Sequence, residues 1–174
     1  VKIAKDNKLD IMNAFAADST LRCDCGKCTV NPDHSGRWFD LYAILIEGVR
    51  KELPKLKFGG IAYQEYRVPP EKPVKYLDYV EYCQYDRCYV HRFGDPACKL
   101  NTRSLETISK WQKRAPMGIY GYEFDIYTGK TAAFVPFWNI LADEAKYFAE
   151  NNIRHIMTEA WIESPKQKER RDLF

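Results

Sequence analysis

Several things are missing from the 174-residue chain, and each absence narrows the reading. No segment offers the ~20 consecutive apolar residues that a membrane-spanning helix needs, and the mean hydropathy is −0.51. Neither G-x-G-x-x-G nor G-x-x-x-x-G-K-[ST] occurs, so no glycine-rich loop is available to cradle the phosphates of a nucleotide. Charge of one sign is not in excess: 27 Lys and Arg face 24 Asp and Glu, leaving +3. That balance gives no electrostatic argument for nucleic acid, and none is expected as a partner. There is no internal repeat and no low-complexity segment. What the chain has in quantity is apolar residues, at 45%, and aromatic ones, at 14%, with 12 tyrosines among them. The first is ample for a core of one domain. The second suits stacking of rings on flat or sugar-like ligands as well as ordinary core packing.

Apolar runs and breakers alternate along the chain. Leu9 to Ala17 reads as a buried strand. Trp38, Leu41, Tyr42, Leu45 and Val49 mark one helical face, with Ser35 as N-cap and Pro54 beyond the end. Phe58 to Tyr63 reads as a strand followed by a loop with Pro69, Pro70 and Pro73. Tyr79 to Gln84 is another strand, and Arg87 to Leu100 is irregular. Asn101 or Thr102 caps a helix carrying Leu105, Ile108 and Trp111. Met117 to Phe124 is a strand; Phe137, Leu141, Glu144, Ala145 and Phe148 share a helix that Asn151-Asn152 stops. Ile153 to Trp161 is the last strand, and Lys166 to Asp172 is a charged, solvated tail. The alternation predicts an α/β fold of about five mostly parallel strands with helices between them.

Polar groups gather where these strands end: Asp18, Glu65, His91, Glu123 with Asp125, and Glu159 with Glu163. Parallel α/β folds place their active sites at that edge. Hydrolysis of a glycosidic bond needs two carboxyl groups, one acid and one nucleophile or base. Asp18, Glu159, Glu123 and Asp125 are therefore candidate catalytic residues, against the plainer reading of loop-capping or ion-paired carboxylates. Tyr63, Glu65, Tyr120, Tyr122 and Trp161 are candidates to hold a sugar. His91 either hydrogen-bonds a hydroxyl or organises the loop between Cys88 and Cys98. Cys23, Cys25 and Cys28 have the spacing of metal ligands, with His34 or a cysteine of the second cluster (Cys83, Cys88, Cys98) as a fourth donor to structural zinc. Disulfides in an oxidising compartment are the rival. No other cofactor is required.

Three stretches also carry a resemblance. They are Asp18 with Cys23-Asp24-Cys25-Gly26-Lys27-Cys28; Arg87-Cys88-Tyr89-Val90-His91 with Asp95-Pro96-Ala97-Cys98, Asn101 and Trp111; and Ile119-Tyr120-Gly121-Tyr122 with Val135-Pro136-Phe137, Tyr147-Phe148 and Asn151-Asn152-Ile153. This order resembles a bacterial domain family of unknown function from carbohydrate-degrading systems, itself distantly similar to the α-glucuronidase and β-hexosaminidase barrels. The resemblance implies that residues 1–174 form a single partial domain, the C-terminal half of a TIM-type (β/α) barrel. A whole barrel needs ~250 residues, so the early strands are expected from an N-terminal part of the same protein or from another chain. The chain opens on Val1-Lys2-Ile3, which fits a processed chain or a piece of a longer one. The resemblance further implies a glycan substrate, an aspartate at position 18, and a periplasmic or extracellular location. A non-catalytic carbohydrate-binding or scaffold module, stabilised by zinc or disulfides, is the alternative.

Overall fold

The computed structural model describes residues 1–13, 23–121, 138–153 and 155–158. After a short helix α1 (Lys2–Asp6), strand β1 (Ile11–Asn13) precedes α2 (His34–Arg50), β2 (Lys57–Ala62), β3 (Tyr79–Cys83), α3 (Lys99–Gln112), β4 (Met117–Gly121), α4 (Trp138–Glu150) and β5 (His155–Thr158). The strands form one sheet in chain order, β1-β2-β3-β4-β5, and every neighbouring pair is parallel. The sheet curls into half a barrel with helices between the strands, so the α/β class and the five parallel strands are as expected. One link departs from the alternation. Between β2 and β3 the described structure has only a 3-10 turn, Gln64–Tyr66. Pro69, Pro70 and Pro73 lack N–H donors and clash with a preceding turn, so that segment cannot continue as a helix.

Helix ends follow local chemistry. Asp33, rather than Ser35, caps α2: its carboxylate accepts from the Gly36 N–H at 2.8 Å. A Cβ at position 36 would lie 2.4 Å from Asp33 Oδ2, so glycine makes room for this cap. Ser35 is buried and donates to the Val68 carbonyl at 2.5 Å. Cys98, rather than Asn101 or Thr102, is the N-cap of α3. Asn152 ends the turn after α4 with φ of 63°, the left-handed stop that Asn tolerates.

The main core lies between the sheet and its helices: Phe39 from α2, Ala62, Val80, Tyr82, Met117 and Ile119 from the strands, Ile108 and Trp111 from α3, and Phe148 from α4. Trp111 is fully buried, edge-on to Phe39 at 5.2 Å, and its Nε1–H donates to the Arg67 carbonyl at 2.6 Å. Burying such a ring contributes about 4–6 kcal/mol as an upper bound, and the hydrogen bond removes the penalty on its one polar atom. The buried face of α2 is Phe39, Tyr42, Ala43 and Ile46, whereas Leu41 and Leu45 of the expected face are 50% and 56% exposed. Helix α2 carries two apolar stripes about 100° apart, and Tyr42 belongs to both. The stripe with Phe39 packs on the sheet.

The other face of the sheet carries polar side chains among apolar ones. In-register positions point the same way, so Asn13, Gly59 and Tyr79 form one row and Ile61, Glu81, Gly118 and His155 the next. The glycines allow strands to be bridged over them. Tyr79 donates its hydroxyl to Asn13 Oδ1 at 2.6 Å across β2, and His155 Nε2 meets Glu81 Oε1 at 2.5 Å across β4.

Candidate functional site

Because all strands run the same way, their carboxyl ends share one edge, and among the described residues the loops leaving them carry Tyr63, Glu65, His91 and two groups of cysteines. Tyr63 follows β2 directly, half-buried, with its ring edge-on to exposed Tyr85 at 6.4 Å; Glu65 lies exposed two residues on. Tyr120, half-buried, is at the end of β4. The loop after β2 is tied to the loop after β3 by an Arg67–Asp86 ion pair. Asp18, Tyr122, Glu123, Asp125, Glu159 and Trp161 lie outside the described residues.

Two thiol-bearing clusters occupy loops at this same edge. Between β1 and α2, the sulfurs of Cys23, Cys25 and Cys28 lie within 4.8 Å of one another. Hydrogen bonding from the Cys28 backbone N–H, with help from the Cys23 and Cys28 side chains, brings the Cys25 thiol down to about 7. The same contacts with Cys23 and Cys25 push Cys28 up to about 11. The loop is pinned from α2, where Arg37 donates to the Cys28 carbonyl and also meets His34 Nδ1. His34 therefore sits against Arg37 rather than among the three converging sulfurs.

The second cluster lies between β3 and α3, where Cys88 Sγ, His91 and Cys98 Sγ also fall within 4.8 Å of one another. Cys88 Sγ is 3.2 Å from His91 Nδ1. Burial pushes the Cys88 thiol up, but hydrogen bonds from His91 and from nearby backbone outweigh it and bring it to about 7. The same contact raises the imidazole of His91. All six cysteines are free thiols, including Cys83, buried at the end of β3.

This second loop is built rather than draped. Asn101, in the first turn of α3, is completely buried and turns its amide into the loop. Its Oδ1 accepts from the Cys88 N–H at 2.8 Å, and its Nδ2 faces the carbonyls of Cys88, His91 and Arg92 at 3.3, 3.2 and 3.1 Å. Arg87 anchors the loop to α4 through a buried ion pair with Glu144 at 2.5 Å, and its guanidinium stacks 4.1 Å from the Tyr89 ring. His91, expected to meet a substrate hydroxyl or to organise the loop, lies beside Cys88 and Cys98.

Sequence reasoning missed the Glu81–His155 pair. The Glu81 side chain is fully buried while that of His155 is 42% exposed. Burial raises the Glu81 carboxyl, opposed by the hydrogen bond and charge of His155, and its Oε2 has no partner among the described residues. The available signal was glycine inside a strand, at Gly118, which marks close approach of a neighbouring group.

No helix among the described residues is long and apolar enough to cross a membrane. No curated protein and no solved structure matches the chain. One family does: its profile matches residues 1–172, and the chain accordingly belongs to the DUF4838 family, a domain of unknown function.

Proposed function

We propose that this domain is glycoside-hydrolase-like and acts on glycans at the carboxyl edge of its sheet. One observation carries the reading. Five parallel strands end at one edge, and each candidate carboxylate follows such an end: Asp18 after β1, Glu123 and Asp125 after β4, and Glu159 immediately after β5. Strand ends are where a curled parallel sheet can direct acid and base groups from different strands into one cleft. Tyr63 and Tyr85, edge-on and partly open to solvent, offer rings for a pyranose face, and Glu65 offers an acceptor for its hydroxyls. In this reading the sheet is the later half of a TIM-type barrel, about strands four to eight, completed by further strands of the same protein or another chain. A domain of this kind meets its polymer in the periplasm or outside the cell.

A glycan panel tests the proposal, with binding and reducing-end release measured on the protein and on Asp18→Ala and Glu159→Ala. Lost turnover with retained binding supports an enzyme; no binding and no turnover across the panel refutes the reading. A second reading, a non-catalytic glycan-binding module, is favoured by the convergence of Cys23, Cys25 and Cys28, three of the four donors a structural zinc site beside the same edge would need. Binding that survives both substitutions, without turnover in any variant, decides for the module.

A further inference from the structure

We propose that Cys88, His91 and Cys98 form a zinc site, with two thiolates and one imidazole as protein donors and solvent in the fourth position. Zinc takes sulfur at ~2.3 Å and imidazole nitrogen at ~2.0–2.1 Å, which in a tetrahedron puts the donors about 3.5–3.8 Å apart. The three donor atoms already lie within 4.8 Å of one another, with Cys88 Sγ and His91 Nδ1 at 3.2 Å. Changes of up to about 1 Å in these separations bring the donors to the spacing of a zinc tetrahedron.

Three further features fit an ion. The Asn101 amide fixes the backbone at Cys88, His91 and Arg92 together, so the donors are pre-organised at the cost of a fully satisfied buried side chain. Cys98 is buried at the N-cap of the 14-residue helix α3, which fixes the place of its sulfur in the cluster. His91 is exposed and Cys88 half-exposed, so one side of the cluster opens to solvent. Three donors with an open position is the pattern of zinc sites that keep a water ligand, while closed structural sites use four protein donors. The ion sits in the loop leaving β3 and pins it beside the edge proposed to bind glycan, but the site stands independently of that proposal.

Because Cys23, Cys25 and Cys28 are a second thiol cluster, the test counts metal by difference. The protein is prepared reduced, its zinc content is measured by mass spectrometry, and Co(II) is titrated while thiolate-to-cobalt absorption is followed. Cys88→Ser and His91→Ala each lower the bound metal by one equivalent per chain, or weaken the last equivalent at least tenfold. Cys25→Ser leaves that equivalent in place. His91 is exposed, so His91→Ala decides should a cysteine variant fail to fold; circular dichroism verifies the fold of each. Metal content and cobalt affinity unchanged in both Cys88→Ser and His91→Ala overturn the proposal. So does a mass 2 Da low with a Cys88–Cys98 cross-linked peptide that persists under mild reduction, which identifies the pair as a structural disulfide.

Discussion

Asn101 is the residue through which the β3–α3 loop is most exposed to a single change. Asn101→Ala removes the acceptor for the Cys88 N–H at 2.8 Å and the donor shared by three carbonyls at 3.1–3.3 Å. An Nδ2 has two hydrogens, so three carbonyls amount to about two good hydrogen bonds, and the side chain makes about three in all. At about 1 kcal/mol net each, with a further penalty if the Cys88 amide is stranded away from water, the loss is about 3–4 kcal/mol. For a chain of this size each kcal/mol lowers Tm by about 2–4 °C, so the variant melts about 6–16 °C below the parent. Urea titration followed by tryptophan fluorescence gives the same quantity as a shifted midpoint at constant slope. Asn101→Asp is the sharper control. It retains an acceptor for Cys88 but sets a carboxylate against three carbonyl oxygens in a buried site. Its folded-state pKa rises above the unfolded value, so its stability is fully present below about pH 4 and falls as pH rises through the folded value. Asn101→Asp is therefore nearer the parent at low pH than at pH 8. A loss below about 1 kcal/mol for Asn101→Ala, or an Asn101→Asp deficit that does not grow with pH, refutes the claim that this amide organises the loop.

Alkylation of the first cluster has a pH signature. In the reduced, metal-free protein, with Cys25 held near 7 and Cys28 near 11, iodoacetamide labels Cys25 first, its rate reaching half-maximum near pH 7 while Cys28 stays slow; peptide mapping that finds equal rates is the contrary result. Glu144→Ala removes the carboxylate facing Arg87, whose side chain is fully buried, and costs about 3–5 kcal/mol, whereas the double change Arg87→Leu with Glu144→Leu recovers much of it. A double-mutant cycle with no coupling contradicts this. Gly59→Ala places a Cβ 2.3 Å from Asn13 Oδ1 and 2.5 Å from the Tyr79 ring, and costs about 1–3 kcal/mol through the displaced ring. A substitution that leaves Tm unchanged sinks the account of the inner face.

The parallel α/β plan was legible because its strands are nearly continuous apolar runs. β2, β3 and β4 are buried on both faces, and such strands stand out from helices by length and by the glycine, proline and asparagine around them. Asn152 advertised the end of α4 through chemistry that acts within one turn. The buried stripe of α2 was not legible, because two apolar stripes fit the period and only the sheet decides between them. The sequence shows the link from β2 to β3 as a proline-rich loop, to which the structure adds a 3-10 turn. In the site, the Cys23–Cys28 cluster is visible because its three cysteines fall within six residues. The Cys88–His91–Cys98 grouping depends on a loop folding back onto α3, and that in turn depends on Asn101, which from sequence alone looked like a helix cap. Glu81 and His155 lie 74 residues apart and meet only through strand register.

That register explains why the inner face can carry polar side chains at all. Side chains bridge from β1 to β3 over Gly59 and from β3 to β5 over Gly118, so alternate strands supply the groups and the strands between them supply the space. Curled parallel sheets fill their interiors in this alternating way. Polar groups there are held by short hydrogen bonds, Asn13–Tyr79 and Glu81–His155, although Glu81 Oε2 has no partner among the described residues. Slipping β3 by one residue would turn Glu81 onto the helix-covered face, where Val80 and Tyr82 now pack against the core, and would bury a carboxylate among apolar side chains. The inner pairs thus fix register against the helix-side core. Since register sets where every strand stops, it also sets where the groups of the carboxyl edge stand relative to one another. The positions of Tyr63, Tyr120 and the β3–α3 loop at that edge depend on hydrogen bonds made deeper in the sheet.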